Sequence, residues 1–174
     1  MLSLQALLAL VLLAASPAAV DGASLEAQVK AAYLFKLASF VRWPAPLAEG
    51  DSFKICVAGR EDIAGLLMAF ANGKQIENRS VSVAQVASPQ SPQLAACRML
   101  FLGRGAQTAG MLISATRGQP VLIVTDRTAG TRGGVIEFME VGGKVRFAVD
   151  RREATSRKLA LDSELFHVAA EVER

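Results

Sequence analysis

The sequence predicts an α/β fold: a three-layer domain with a mixed, mostly parallel sheet, a C-terminal β-hairpin and flanking helices. Three observations lead there. Segments whose apolar residues recur at helical spacing alternate with short strand-like runs. Several of those runs, Val121–Thr125 among them, are apolar throughout, the pattern of strands buried on both faces and paired in parallel. Late in the chain, Val135–Val141 and Lys144–Val149 flank Gly142-Gly143, a two-residue turn that reads as a hairpin.

Taken in order, Ser24 is a helix-capping residue ahead of Leu25, and apolar positions follow at Val29, Tyr33, Leu37 and Phe40. This predicts a helix that ends at Arg42 or Trp43, because Pro44 disfavours helical geometry in the residue before it. Tyr33, Leu37 and Phe40 are expected on its core face. Phe53–Ala58 reads as a strand closed by Gly59, and Glu61–Ala71 as a helix stopped by Asn72-Gly73. Arg79–Val86 alternates and predicts a half-buried strand, followed by a Pro-containing connector at 88–93. Arg98–Leu102 is a short apolar strand, Ala106–Thr116 a helix, and Val121–Thr125 the next strand, ended by Asp126. A Gly- and Thr-rich loop (126–134) leads into the hairpin. Arg151–Arg157 is expected to make a helical turn, and Ser163–Glu171 a closing helix.

At 174 residues the chain is of a size for one domain. The run from Ala6 to Ala15 is apolar but far short of the ~20 residues that span a bilayer, so residues 1–22 read as a signal peptide, cleaved after about Ala18 or Gly22. Residues 23–174 form the expected domain, read as a soluble exported protein. A net charge of only +3, one Trp and no dense basic run argue against a nucleic-acid reader. Two cysteines, Cys56 and Cys97, remain in the exported chain. An even count in an oxidising compartment argues for a disulfide, with two buried thiols as the other reading.

Catalytic signatures fail one by one. Gly103-Arg104-Gly105 opens a helix after a strand, but Thr108 stands where a dinucleotide fingerprint needs its third glycine. His167 is the single histidine, no Gly-x-Ser-x-Gly elbow is present, and one His with two paired Cys cannot build a metal site. Glu137 and Glu140 alternate with Phe138 and Met139, which suggests a solvated strand face. No catalytic residue, cofactor or metal is therefore assigned, and the protein is not expected to be an enzyme.

The stretches VKAAYLFKLASFVRWP (29–44), CRMLFLG (97–103), PVLIVTD (120–126), GGVIEFMEVGGKVRFAVD (133–150) and LALDSELFHVA (159–169) occur in an order and spacing that resembles the YfiR-like family. The likeness covers nearly all of the expected mature chain. It implies a periplasmic repressor of the YfiBNR type, which binds the periplasmic sensor part of an inner-membrane diguanylate cyclase and lowers cyclic di-GMP and biofilm formation. An OmpA-like outer-membrane lipoprotein would relieve the repression by sequestering it. By the same resemblance, Cys56 and Cys97 correspond to the family's bridge pair, Tyr33, Phe35 and Trp43 to its aromatic helix, and Gly133 and Gly134 to its hairpin entrance. Val149-Asp150-Arg151 stands where the family often has Ile-Asn-Leu, and a second cysteine pair found in some members is missing.

That departure directs attention to Asp150, Arg151, Arg152, Arg157, Lys158 and Leu159, a basic segment that reads either as a contact for an acidic partner or as a solvated face. Self-association into a homodimer stays open, and nucleic acid is not an expected partner. The alternative function is a periplasmic small-ligand-binding module using the strand ends near Asp126–Gly134.

Overall fold

Ser24 begins the first helix as the cap its sequence promised: its hydroxyl accepts from Ala27 N–H at 3.1 Å, and α1 runs Leu25–Leu37. The structure is a computed structural model that describes residues 23–173, so the expected signal peptide and its cleavage sites lie outside the described residues. α1 stops earlier than its periodicity suggests. A 3-10 turn (Ala38–Phe40) intervenes, and Val41–Arg42 is already extended as β1, paired antiparallel with β9 (Ala160–Leu161). The extended geometry favoured ahead of Pro44 thus reaches back as far as Val41, because a later strand holds it there. The buried face also differs from expectation. It is Ala27, Lys30, Ala31, Leu34 and Leu37 that are covered, whereas Tyr33 and Phe40 are half-buried.

After β1 come β2 (Phe53–Ala58), α2 (Glu61–Ala71), β3 (Gln75–Ile76), β4 (Arg79–Gln85), β5 (Met99–Leu102), α3 (Ala106–Ala115) and β6 (Leu122–Asp126). β7 (Ile136–Val141) and β8 (Lys144–Asp150) form the hairpin, with Gly142 and Gly143 both at positive φ as a primed turn requires. α4 (Arg151–Ser156), β9, α5 (Ser163–Val168) and β10 (Glu171–Glu173) complete the chain. The closing helix is shorter than expected, since residues past Val168 turn extended and add β10 beside β8.

The large sheet has the order β10-β8-β7-β6-β5-β2-β4-β3. Strands β7 through β4 in that order are parallel, and β8 and β3 run antiparallel to their inner neighbours. Side chains alternate across the sheet and build two cores. Ile55, Val57, Met99, Phe101, Leu122 and Val124 join the cluster that contains the buried residues of α1 and α2. Cys56, Ala58, Leu100, Leu102 and Ile123 pack with Ala109 and Leu112 of α3 on the other face. Three layers result, as the sequence predicts. Cys56 and Cys97 are joined by a disulfide within the second core, their Cα atoms 5.8 Å apart.

Candidate functional site

The order β4-β2-β5-β6 places a topological switch between β2 and β5, where the connections from neighbouring strands leave in opposite directions. In open parallel sheets the carboxyl ends of strands at such a point form the usual ligand crevice. Here that end is occupied by the protein's own charges.

Arg60 follows β2 and crosses over Gly103. A Cβ on Gly103 would lie 2.4 Å from Arg60 Cγ, and one on Gly59, itself at φ +77°, would lie 2.9 Å from the Arg104 carbonyl oxygen. The first glycine of the apparent dinucleotide fingerprint thus makes room for an arginine, while Gly105 takes the left-handed conformation that opens α3. Arg60 donates through two nitrogens to the Asp62 carboxylate, both at 2.8 Å, and reaches Glu26 of α1 at 3.1 Å. The Asp62 carboxyl is held below its ordinary value chiefly by that hydrogen bond from Arg60, against a smaller effect of burial.

Glu26 also pairs with Lys30, one turn on, and Lys30 pairs with Asp126 at the end of β6. Lys30 is 1% exposed and Asp126 fully buried, so this ion pair lies inside the protein. Lys30 Nζ further donates to Thr128 Oγ1 at 3.2 Å, and Asp126 accepts from Thr128 N–H (3.0 Å) and its hydroxyl (2.6 Å). Thr131 completes the shell: its hydroxyl accepts from Asp126 N–H and donates to the Leu102 carbonyl. Burial pushes Glu26 upward, yet the hydrogen bonds from Arg60 and Lys30 outweigh it and hold the carboxyl below its ordinary value. The chain α2–Arg60–Glu26–Lys30–Asp126 therefore clamps α1 to the sheet.

A second ionic knot sits beside it. Arg127 pairs with Glu137 of β7 and with Glu171 (2.7 Å) and Glu173 (2.9 Å) of β10. Glu137 is buried, contrary to the expected solvated face, because Ile136, Glu137 and Phe138 lie where β7 is covered on both sides. Burial pushes its carboxyl upward, but the hydrogen bond from Arg127, joined by one from Gly133 N–H at 2.6 Å, outweighs burial and keeps its pKa below the ordinary value. Gly134 allows the close approach, since a Cβ there would meet the Ile136 oxygen at 2.7 Å.

The basic segment expected to meet a partner divides. Arg157 is buried: it donates to Glu153 (2.6 Å) and to the Thr116 carbonyl at the end of α3 (3.0 Å). Leu159 is also buried, and Asp150 caps α4 by accepting from Glu153 N–H at 2.9 Å. These positions are corrected from surface to interior or cap, because α4 must dock its own end against α3. Arg151, Arg152 and Lys158 stay exposed, and Arg151 lies 5.0 Å over the Phe166 ring of α5. On the other side of α5, Tyr33, Leu37, Phe40, Phe147, Leu165 and Val168 line an apolar groove of about 260 Å³, rimmed by the exposed cations Lys36 and Arg146.

Sequence reasoning passed over Lys30, Arg60 and Arg127. The available signal was Lys30 in register with Ala27, Ala31 and Leu34, a lysine on a stripe of small residues that permit close packing. Among the described residues, no group of His, Cys, Asp and Glu is placed to hold a metal, and no helix is long and apolar enough to cross a membrane.

The profile of the YfiR/HmsC-like family matches residues 27–170. The chain belongs to that family. The YfiR/HmsC-like match spans the disulfide and the groove, and it takes in the two ionic knots except for Glu26, Glu171 and Glu173. The family implies periplasmic regulation of cyclic di-GMP signalling in general, a regulatory rather than an enzymatic role. No curated protein matches this YfiR-like chain. Among solved structures it is similar to the ABC domain in complex with L-Trp from Streptococcus pneumonia, with 12% identity and a TM-score of 0.53. That likeness covers 84% of this chain and 60% of the other, so this chain spans less than two thirds of that one. It shows a shared fold.

Proposed function

We propose that this YfiR-like chain represses an inner-membrane diguanylate cyclase by binding the cyclase's periplasmic sensor region, lowering cyclic di-GMP and biofilm formation. An OmpA-like outer-membrane lipoprotein then relieves the repression by sequestering the chain. The family match over residues 27–170 carries this reading. The contact surface is Arg151, Arg152 and Lys158, continuing over α5 to the apolar groove with its Lys36 and Arg146 rim. Such a surface suits an acidic partner with an apolar anchor, the cations steering encounter and the groove supplying buried area. A small-ligand module using Asp126–Gly134 is less well supported, because Asp126 is already paired with Lys30 and enclosed by Thr128 and Thr131. Deleting the gene should raise cellular cyclic di-GMP and biofilm. Unchanged cyclic di-GMP in a strain that keeps the cognate cyclase would overturn the reading.

A further inference from the structure

The carboxyl ends of the central strands are filled by the protein's own ion pairs, but the amino ends hold two cations that no described acid neutralises. Lys54 of β2 and Arg98, just ahead of β5, are neighbours across the parallel pair. They precede Ile55↔Met99 in register, and Arg98 N–H donates to the Lys54 carbonyl at 3.0 Å. Both are half-buried. Every ion pair among the described residues is made by Lys30, Arg60, Arg127 or Arg157, so neither Lys54 nor Arg98 has an acid within salt-bridge distance. Like charges side by side on adjacent strands repel, and partial burial removes some of the water that would screen them.

Arg98 is held in place without using all of its donors. Its Nη2 donates to the Ala45 carbonyl at 2.7 Å and its guanidinium lies 6.0 Å over the ring of Trp43, while Nε is buried with no partner. A guanidinium pinned through one nitrogen and one face loses less entropy when its remaining donors meet an acceptor. Lys54 and Arg98 both line a cleft of about 440 Å³ across the starts of β2, β5 and β6. Leu47, Ala95, Pro120 and Val121 give it an apolar wall, and the exposed Asp51 is the one acid among its lining residues.

We propose that this cleft binds a small monocarboxylic acid, its carboxylate lodged between Lys54 and Arg98 and its hydrocarbon part against Leu47, Pro120 and Val121. The charge balance selects the class. Two cations and Asp51 leave one net positive charge, which a monocarboxylate neutralises and a phosphate dianion overshoots. A planar carboxylate also matches the planar fork of an arginine, and only a ligand with a hydrocarbon part gains from the apolar wall. The cleft lies at the opposite end of the strands from Asp126, and it shares no residue with the proposed cyclase contact. The inference therefore stands or falls apart from the repressor reading.

The test is an NMR titration of the isotope-labelled chain with sodium butyrate at constant ionic strength, with sodium chloride as the control. Trp43 is the single tryptophan, so its indole N–H gives one resolved signal beside Arg98. Butyrate should shift that signal and the amides of Lys54, Arg98 and Val121 to saturation. Acetate, two methylenes shorter, should bind about tenfold more weakly, and inorganic phosphate should also bind less tightly than butyrate. Lys54→Gln should weaken butyrate binding about tenfold or more without lowering the melting temperature, because the charge removed had no partner. Lys54→Glu places a carboxylate beside Arg98 from the chain itself, so it should abolish butyrate binding and raise the melting temperature, a combination that damage to the fold would not give. An unsaturated drift equal to that with chloride, or an affinity unaltered in Lys54→Gln, would overturn the site. Phosphate binding more tightly than butyrate would overturn the carboxylate assignment. Should a variant fail to fold, the wild-type titration decides: saturating shifts confined to residues outside the cleft would refute it.

Discussion

Replacing Lys30 by Met tests whether the interior ion pair holds the first helix in place. Methionine keeps the length and most of the volume of lysine and removes only the charge. Asp126, with no exposure, would keep its Thr128 contacts but lose its cation, leaving an uncompensated charge inside the protein. Breaking a buried pair on one side costs about 3–5 kcal/mol, a large share of the roughly 5–15 kcal/mol of a whole domain. For a chain of this size that is a fall in Tm of roughly 6–20 °C. Removing both charges is a different perturbation, since apolar replacement of a buried pair is often neutral. The Lys30→Met/Asp126→Leu double variant should therefore recover most of the stability lost by Lys30→Met alone. Urea unfolding followed by circular dichroism on wild type, both single variants and the double closes the cycle. A single-variant cost under about 1 kcal/mol, or a double-variant cost equal to the sum of the singles, would refute the reasoning.

Changing Cys56 and Cys97 together to Ser should lower stability by about 4 kcal/mol on the chain-entropy estimate for a 41-residue separation, read as a shift in denaturant midpoint. Glu26, Asp62 and Glu137 are all depressed in the fold, so each contributes stability above its unfolded value and loses it as pH falls through the folded one. The denaturation midpoint should hold from neutral pH to about 5 and fall below about 4, less steeply in Glu137→Gln. Arg151→Glu/Arg152→Glu should leave the fold intact and slow association with the cyclase's periplasmic part in a salt-dependent way. Equal association rates by surface plasmon resonance at low salt would show that these arginines are only solvated.

The parallel strands were legible because each is a short, mostly apolar run: Phe53–Ala58, Met99–Leu102 and Leu122–Asp126 lie within about one residue of where their composition puts them. The hairpin was legible from its glycines. β3 and β10 were not, since two or three residues carry no period and their extended form comes from the neighbour they join. Lys30 was unreadable for another reason. Its partner Asp126 is 96 residues away, and a lysine is ordinarily a surface residue, so only the assembled sheet reveals it as interior. Arg157 misled in the same way: beside Lys158 it reads as surface charge, whereas the carbonyl it serves belongs to Thr116.

The long reach of α1 sets the order in which the chain can become stable. Its lysine waits for residue 126, and the strand that follows it waits for Val41 to meet Leu161. The first described helix has an early partner in α2, through the shared core and the Glu26–Arg60 pair, but its lock on Asp126 and the β1–β9 pairing close long loops whose entropy must be met before those contacts reward it. The β2–β4–β5 unit, cross-linked at Cys56 and Cys97, needs no residue past Leu102 for its own strand pairing. A chain emerging from its N-terminus therefore holds a sheet nucleus with its first helix seated on α2, and that helix gains its buried ion pair and its short strand partner only when residue 126 and the final turns arrive.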